Sequence, residues 1–501
     1  MSSHFIFYQQ KVTGRLLLAV FSAVMGSVQF GFNTGVINAP EETIKQFMNE
    51  TNYGRFGEAM SADTAVLMYS LLVAIFAVGG MVGGLLAGWW ATFFGRKFGM
   101  ILNSGFGIGA AVLMFFSRLG SSYEMVIAGR CLVGFNCGLY TGLTPLYLSE
   151  IGSANNRGAL GTLHQLGVTI GILTSQILGF PEILGNEGYW HVLLGLCAVP
   201  PILQLLSMPF CPESPRYLLI TKEKREDAHK ALVALRGTAD VDSDLDEMEN
   251  EYQHEQREGK ISWTHLLRKR SLWKPLIISI VMHLSQQLSG ITAVFYYSTK
   301  LYVNAGIHPN TAAHATSGIG AIMVTMTLIT IPLMDRVGRR TLHLLGIGGM
   351  FIFSVLITVT LALKDTVDWF RIANIVVSLL YVVFFAVGPG SIPWLIVAEL
   401  FSQGPRPAAM SIAVVINWIA NFSVGYAFPS MQKGLGDYSF LPFTVMLLFF
   451  WIFVYIYLPE TKNKTFEEIS ENWKSMKNSI EKKEDTPKEN THLSLYSKQK
   501  Y

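Results

Sequence analysis

Charge is scarce in this sequence. Only 15% of its 501 residues are Asp, Glu, Lys or Arg, whereas half are hydrophobic, and the mean hydropathy is +0.37. A soluble chain of that length needs a charged surface toward water; a chain embedded in lipid does not. The formal net charge of +3 is too small to mark a nucleic-acid partner. Cysteine is scarce as well. Cys131, Cys137, Cys197 and Cys211 lie in or beside apolar runs without metal-ligand spacing, which argues against a disulfide framework, a zinc site or any bound metal or cofactor. Residues Met1–Arg15 lack a cleavable signal pattern, so the first apolar run is expected to stay as an anchor. No nucleotide loop and no nucleophile paired with His and acid is present. Gly105-Phe106-Gly107-Ile108-Gly109 is a glycine run inside an apolar stretch rather than a phosphate cradle. An enzyme is not expected.

What the sequence does have is long apolar runs. A membrane-spanning helix takes about 20 such residues, and about twelve candidates follow one another: roughly 16–36, 65–90, 98–117, 123–146, 159–181, 189–210, 273–299, 312–334, 341–363, 370–397, 408–430 and 437–458. The fold class is therefore all-α and membrane-embedded, with twelve spans in two six-helix bundles. The division is 1–15 N-terminus, 16–210 first bundle, 211–272 charged linker, 273–458 second bundle and 459–501 tail. The linker reads as amphipathic helices outside the bilayer, in stretches such as Lys222–Gly237 and Asp242–Glu258. Basic residues concentrate in alternate loops (Arg96/Lys97, Arg157, Arg336/Arg339/Arg340, Arg406) and in the linker and Lys462/Lys464 tail, which puts both termini in the cytoplasm. The opposite loops hold few, among them Arg118, Lys300, Lys364 and Lys433. The loop 37–64 then faces outside, where Asn49-Glu50-Thr51 is a glycosylation acceptor. Asn421-Phe422-Ser423 and Asn463-Lys464-Thr465 match that pattern in a span and a cytoplasmic tail and are discounted.

The two halves echo one another. Gly95-Arg96-Lys97 returns as Gly338-Arg339-Arg340, Glu150 to Arg157 as Glu399 to Arg406, and Pro212-Glu213-Ser214 as Pro459-Glu460-Thr461, each roughly 245 positions on and in the same order. Parallel repeats of this kind are a transporter architecture with its site between them, near the membrane midplane. Polar side chains inside spans are costly and normally face the bundle interior. Here they are mostly uncharged: Gln165, Gln286, Gln287, Thr292, Tyr296, Tyr297, Trp394, Asn417 and Asn421. Amides both donate and accept hydrogen bonds, and aromatic rings offer a flat apolar face, a combination suited to a neutral polyhydroxylated ligand. For any one of them the plain alternative is an interhelical hydrogen bond with no ligand.

Two further groups stand out. Arg96, Glu150, Arg157, Arg339, Glu399 and Arg406 at the cytoplasmic ends are expected to pair across the halves when the inner mouth is shut; topology determination by positive charge is the competing reading for the arginines. Gly388-Pro389-Gly390-Ser391-Ile392-Pro393 interrupts the tenth span as a hinge, against simple kinking for packing. Gly79-Gly80, Gly83-Gly84 and Gly88 read as close helix packing.

The motifs Gln286-Gln287-Leu288-Ser289-Gly290, Phe295-Tyr296-Tyr297-Ser298, Pro212-Glu213-Ser214-Pro215-Arg216, Pro393-Trp394, Glu399 to Pro407 and Pro459-Glu460-Thr461-Lys462 together resemble the animal facilitative glucose transporters, in the sugar-porter branch of the major facilitator superfamily. The resemblance runs from about residue 12 to 470. It implies alternating access without covalent chemistry and a hexose substrate, D-glucose first and fructose second. Sugar contacts carry over at Gln165, Gln286, Gln287, Trp394 and Asn417, with Asn421 a weaker match, an extracellular gate at Tyr296 and Tyr297, and the salt-bridge latch at the six charged residues above. Proton-coupled relatives carry an Asp where Gly31-Phe32-Asn33-Thr34-Gly35 has Asn33, which favours a passive uniporter over a symporter. The short tail after about Glu471 speaks against a sugar sensor. Departures from the family pattern are Thr292 and Met323 in place of Asn, Ala386 in place of Glu, Phe385 where fructose carriers have His, and Thr92-Phe93-Phe94 before Gly95. Oligomeric state is not legible.

Overall fold

The computed structural model describes residues 13–153, 157–258, 263–402 and 404–462. Most of the N-terminal segment, the tail beyond Lys462 with its Asn463-Lys464-Thr465 sequon, and the side chain of Arg157 lie outside the described residues. The described elements are helical. The first half comprises α1 (Gly14–Gly35), α2 (Glu41–Phe56), α3 (Ala62–Phe94), α4 (Arg96–Phe116), α5 (Tyr123–Ile151), α6 (Arg157–Leu178), α7 (Trp190–Gly195) and α8 (Val199–Ser207). The linker carries α9 (Arg225–Arg236), α10 (Asp242–Glu258) and α11 (Trp263–Arg268). The second half comprises α12 (Trp273–Gln287), α13 (Ile291–Asn304), α14 (Pro309–Val337), α15 (Arg339–Ala362), α16 (Trp369–Val387), α17 (Ile392–Leu400), α18 (Arg406–Leu435) and α19 (Leu441–Tyr457). Taking α7 with α8, α12 with α13 and α16 with α17 as broken spans, and α2 as lying off the bilayer, the elements make twelve crossings.

Helix starts follow local chemistry. The hydroxyls of Thr13, Ser61 and Ser122 accept the backbone N–H groups of Leu16, Thr64 and Met125, satisfying donors that the first turns of α1, α3 and α5 leave open. In lipid no water-driven force holds helices together, so close backbone approach matters more. At the α3–α5 contact a Cβ on Gly79 or Gly83 would sit 2.0 or 2.2 Å from the carbonyl oxygens of Cys131 and Phe135, and one on Gly138 would sit 2.3 Å from that of Gly80. Gly80 and Gly84 themselves face Trp418 and Val414 of α18, across the two halves, whereas Gly88 meets nothing within 4 Å. The packing role expected of the whole glycine run thus holds for all but Gly88. Outward, Leu206, Ile352, Ile372, Val445, Phe449 and Ile456 present an apolar surface to lipid.

Two breaks shape the second half. The expected span 273–299 is not one helix: Gly290 takes φ +95°, a conformation open to glycine, and ends α12 before α13 restarts and runs on to Asn304. The second break lies at Gly388–Ser391, between α16 and α17, where Pro389 cannot donate a backbone hydrogen bond and Pro393 occupies the first turn of α17.

The halves meet chiefly through α3 with α18 and α6 with α14. The side-chain bonds that join them cluster on the face carrying α2, here the α2 face. Asn38 Nδ2 donates to Phe295 O (2.8 Å) and Ser298 Oγ (2.7 Å), and its Oδ1 accepts Thr299 N–H (3.1 Å). Gln176 Oε1 accepts Gly320 N–H (3.1 Å), Lys433 pairs with Asp63, and Lys300 pairs with Glu42. The linker helices occupy the opposite end, the linker face.

Candidate functional site

A cavity of about 110 Å³ lies between the halves near their centre. Its two walls differ. The second half supplies a continuous amide network, because the two helix breaks bring α12, α13, α17 and α18 within hydrogen-bonding reach. Gln286 Nε2 donates to the carbonyls of Pro389 (2.9 Å) and Gly390 (2.8 Å), which the broken helix leaves open. Asn417 Nδ2 donates to Gln286 Oε1 (2.7 Å), and its Oδ1 accepts Gln287 Nε2 (3.1 Å). Gln287 Oε1 in turn accepts Thr292 Oγ1 (2.6 Å) and Asn421 Nδ2 (3.1 Å), and Asn421 Oδ1 accepts the Tyr296 hydroxyl (3.1 Å). Asn417 and Asn421 fall one turn apart on α18, so both amides share a face. The first half lines the cavity with Phe30, Thr34, Phe76, Thr141 and Gln165. Gln165 is half-buried and, among the described residues, makes no hydrogen bond within the protein, so its donors and acceptor remain available to a ligand.

All seven proposed substrate contacts (Gln165, Gln286, Gln287, Thr292, Trp394, Asn417, Asn421) line this one cavity, together with Tyr296, Met323, Phe385 and Gly390. Tyr297 does not. It sits just beyond, its hydroxyl donating to Gly425 O (2.7 Å) and its ring edge-on to Tyr69 of the first half at 6.5 Å. Ala386 is buried off the cavity wall. Gly388 and Pro389, in the break between α16 and α17, pack on α15: a Cβ on Gly346 would meet Pro389 Cδ at 2.7 Å and Gly388 Cα at 2.8 Å.

Sequence reasoning missed His283, which stands one turn before Gln287 on α12. Its Nδ1 lies 3.1 Å from Asn417 Nδ2, and its ring is edge-on to Trp394 at 4.7 Å. Trp418, whose ring stands edge-on to Phe30 (6.0 Å) and Phe76 (5.8 Å), was missed too. The spacing 283, 286, 287 on one helix was the available signal.

At the linker face the three sequence echoes converge in space, once per half. Gly95 (φ +85°) and Gly338 (φ +99°) precede α4 and α15. The Glu213 carboxylate accepts the N–H of Arg96 (3.1 Å) and Lys97 (3.0 Å), and that of Glu460 accepts Arg339 (2.9 Å) and Arg340 (3.1 Å). Burial pushes the Glu213 carboxyl above its ordinary range even so. Arg96 binds Glu150 through two bonds of 2.7 Å, and Arg339 reaches Glu399 at 3.1 Å. The Arg96–Glu150 and Arg339–Glu399 pairs each close within one half. Arg406 donates to Phe401 O (3.0 Å), and Arg157 begins α6.

Asn49 lies on α2, half-buried, with its Oδ1 accepting Met60 N–H (2.7 Å), and Thr51 is buried.

The family described as "Sugar (and other) transporter" matches residues 19–473. Solute carrier family 2, facilitated glucose transporter member 1 of Gallus gallus is 47% identical over 460 residues, covering 92% of this chain and 94% of that protein. Member 3 of Mus musculus is 48% identical over 460 residues, with 92% and 93% covered. Among solved structures, the partially occluded inward-open xylose transporter of E. coli superposes with a TM-score of 0.77 at 24% identity, covering 90% of this chain and 100% of that one. The inward-open form gives 0.76 over 91% and 100%. At that identity the likeness establishes the fold, two six-helix bundles of the major facilitator type.

Proposed function

The chain belongs to the sugar transporter family, within solute carrier family 2, and from that premise we propose that it is a plasma-membrane uniporter carrying D-glucose down its gradient. The observation that supports this reading best is the uncharged cavity between the bundles, with an amide network on one wall and Gln165 with aromatic rings on the other. Hydroxyl groups of a hexose both donate and accept, so they can enter an amide chain at any point without leaving a charge unbalanced. Trp394 and Phe30 supply apolar faces for the ring carbons. The proposed roles are substrate contacts at Gln165, Gln286, Gln287, Thr292, Trp394, Asn417 and Asn421, a gate at Tyr296 and Tyr297, and a hinge at Gly388, Pro389, Gly390 and Pro393. Arg96, Glu150, Arg157, Arg339, Glu399 and Arg406 form the charged layer of the inner mouth, with Arg96–Glu150 and Arg339–Glu399 as its resting pairs.

In this reading the 16–210 and 273–458 bundles rock about the cavity, and the linker face with both termini is cytoplasmic. The α2 face is then extracellular, and Asn49 carries a glycan added before α2 packs. Asn33 in α1 cannot titrate, which supports passive flux. Uptake of labelled D-glucose and D-fructose into proteoliposomes tests the assignment. Saturable D-glucose entry that stops at equilibrium, unmoved by a protonophore, is the expected result; exclusion of both sugars refutes it.

A further inference from the structure

Beyond the amide site, the α2 face carries a charged cluster that takes no part in the sugar site. Glu41 and Glu42 open the first turn of α2, and Lys45 lies one turn on. Lys45 pairs with Glu41 and lies 3.5 Å from Glu42. From the other bundle, Lys300 of α13 pairs with Glu42 and lies 3.5 Å from Glu41. The Glu41 side chain is only 5% exposed, and its Oε2 is buried without a hydrogen-bond partner. A carboxylate so placed is held by the two ammonium groups around it. Below the cluster, Lys45 Nζ stands 5.1 Å over the Tyr69 ring, and Tyr69 is edge-on to Tyr297. Beside it lies the Asn38 clamp on Phe295 and Ser298.

We propose that Lys300 is a positioning residue for the carrier cycle: with Glu41 and Glu42 it forms an ionic clasp that holds the α2 face shut above the tyrosine layer. The clasp spans the two bundles through Lys300 alone, because Lys45 and both glutamates ride on α2. Opening this face carries Lys300 away with α13 and admits water, while Lys45 stays to balance Glu41. The clasp therefore weighs on one conformation only, which is what a bias on the resting state requires. The proposal rests on the carrier reading.

The test uses the full-length protein in proteoliposomes of defined sidedness, with Lys300→Gln, Lys300→Glu, Glu42→Lys and the double variant Glu42→Lys/Lys300→Glu. In Lys300→Gln the ratio of the D-glucose KM at the α2 face to that at the linker face falls about two- to fivefold, the range of a partly exposed ion pair. The two single reversals shift the ratio at least as far, and the double variant returns it toward the native value. Raised ionic strength moves the native protein the same way and moves Lys300→Gln less, the remainder coming from the exposed Lys433–Asp63 pair on the same face. A native ratio in Lys300→Gln, or a double variant no closer to native than the singles, overturns the clasp. A second readout does not need flux. With Thr34→Cys as reporter, a membrane-impermeant maleimide added at the α2 face reacts faster when Lys300→Gln is also present. Absence of sugar flux in the native protein with that difference intact overturns the carrier reading alone; equal labelling rates overturn the clasp.

Discussion

Gln286 and Gln165 face one cavity from opposite bundles, yet their surroundings differ, and so do the expected effects of losing them. Gln286 Nε2 is bonded to the Pro389 and Gly390 carbonyls of the helix break. Gln286→Leu strands both as buried acceptors, each at about 1–3 kcal/mol. It is therefore expected to lower the unfolding temperature and to raise the KM for D-glucose. Gln165→Ala removes an amide that makes no hydrogen bond among the described residues, so its KM is expected to rise about fivefold at unchanged thermal stability, as for one lost hydrogen bond of about 1 kcal/mol. Paired thermal-shift and uptake measurements separate the two. Thr292 is a third case: its hydroxyl is already committed to Gln287 Oε1. Thr292→Asn adds a donor and an acceptor at the cavity wall, with a severalfold lower KM for D-glucose expected; an unchanged glucose-to-fructose preference would place this side chain off the sugar path. Glu42 gives a pH prediction. Its partial burial pushes its pKa up, but the Lys300 hydrogen bond and the charges of Lys45 and Lys300 outweigh this and hold it below its ordinary value of 4.5. A lowered carboxyl contributes in full above that value and fades as pH falls through the lower one. The KM ratio of the two faces is thus expected to stay flat from pH 7 to about 5 and to shift only on stronger acidification.

At the scale of elements, the spans were legible because lipid demands long apolar runs, and the Gly-Pro break between α16 and α17 because proline disrupts a helix interior. Gly290 was not legible as a break: one glycine between Ser289 and Ile291 leaves the hydropathy of the run unchanged, and only its backbone angle ends α12. The helix α2 was hidden in what read as an outer loop, since 16 residues with few apolar positions show no spanning signal. The residues that line the cavity were nameable from amides and aromatics in spans, but their hydrogen-bond partners were not. Hydrogen bonds between Gln286 and Pro389, or Asn417 and His283, join residues more than a hundred positions apart. Packing predictions belong here also. Gly138→Val places carbon against the Gly80 carbonyl and is expected to abolish the monodisperse folded species in size-exclusion chromatography, whereas Gly88→Ala, in open space, leaves it intact.

For the whole molecule, the internal repeat has a structural meaning that the sequence only hinted at. Each half builds the same Gly-Arg-Glu corner at the linker face, with one carboxylate capping a helix start and another binding the arginine. Symmetric corners did not imply symmetric walls. Glutamine and asparagine gather on one bundle, and the facing one offers mainly rings, small hydroxyls and a lone amide. In the proposed carrier cycle a passenger is then held by its hydroxyls mainly on one side, with Gln165 the single amide tie to the other. The first bundle then acts as a sliding cover over a loaded tray, with one amide contact to release as it moves.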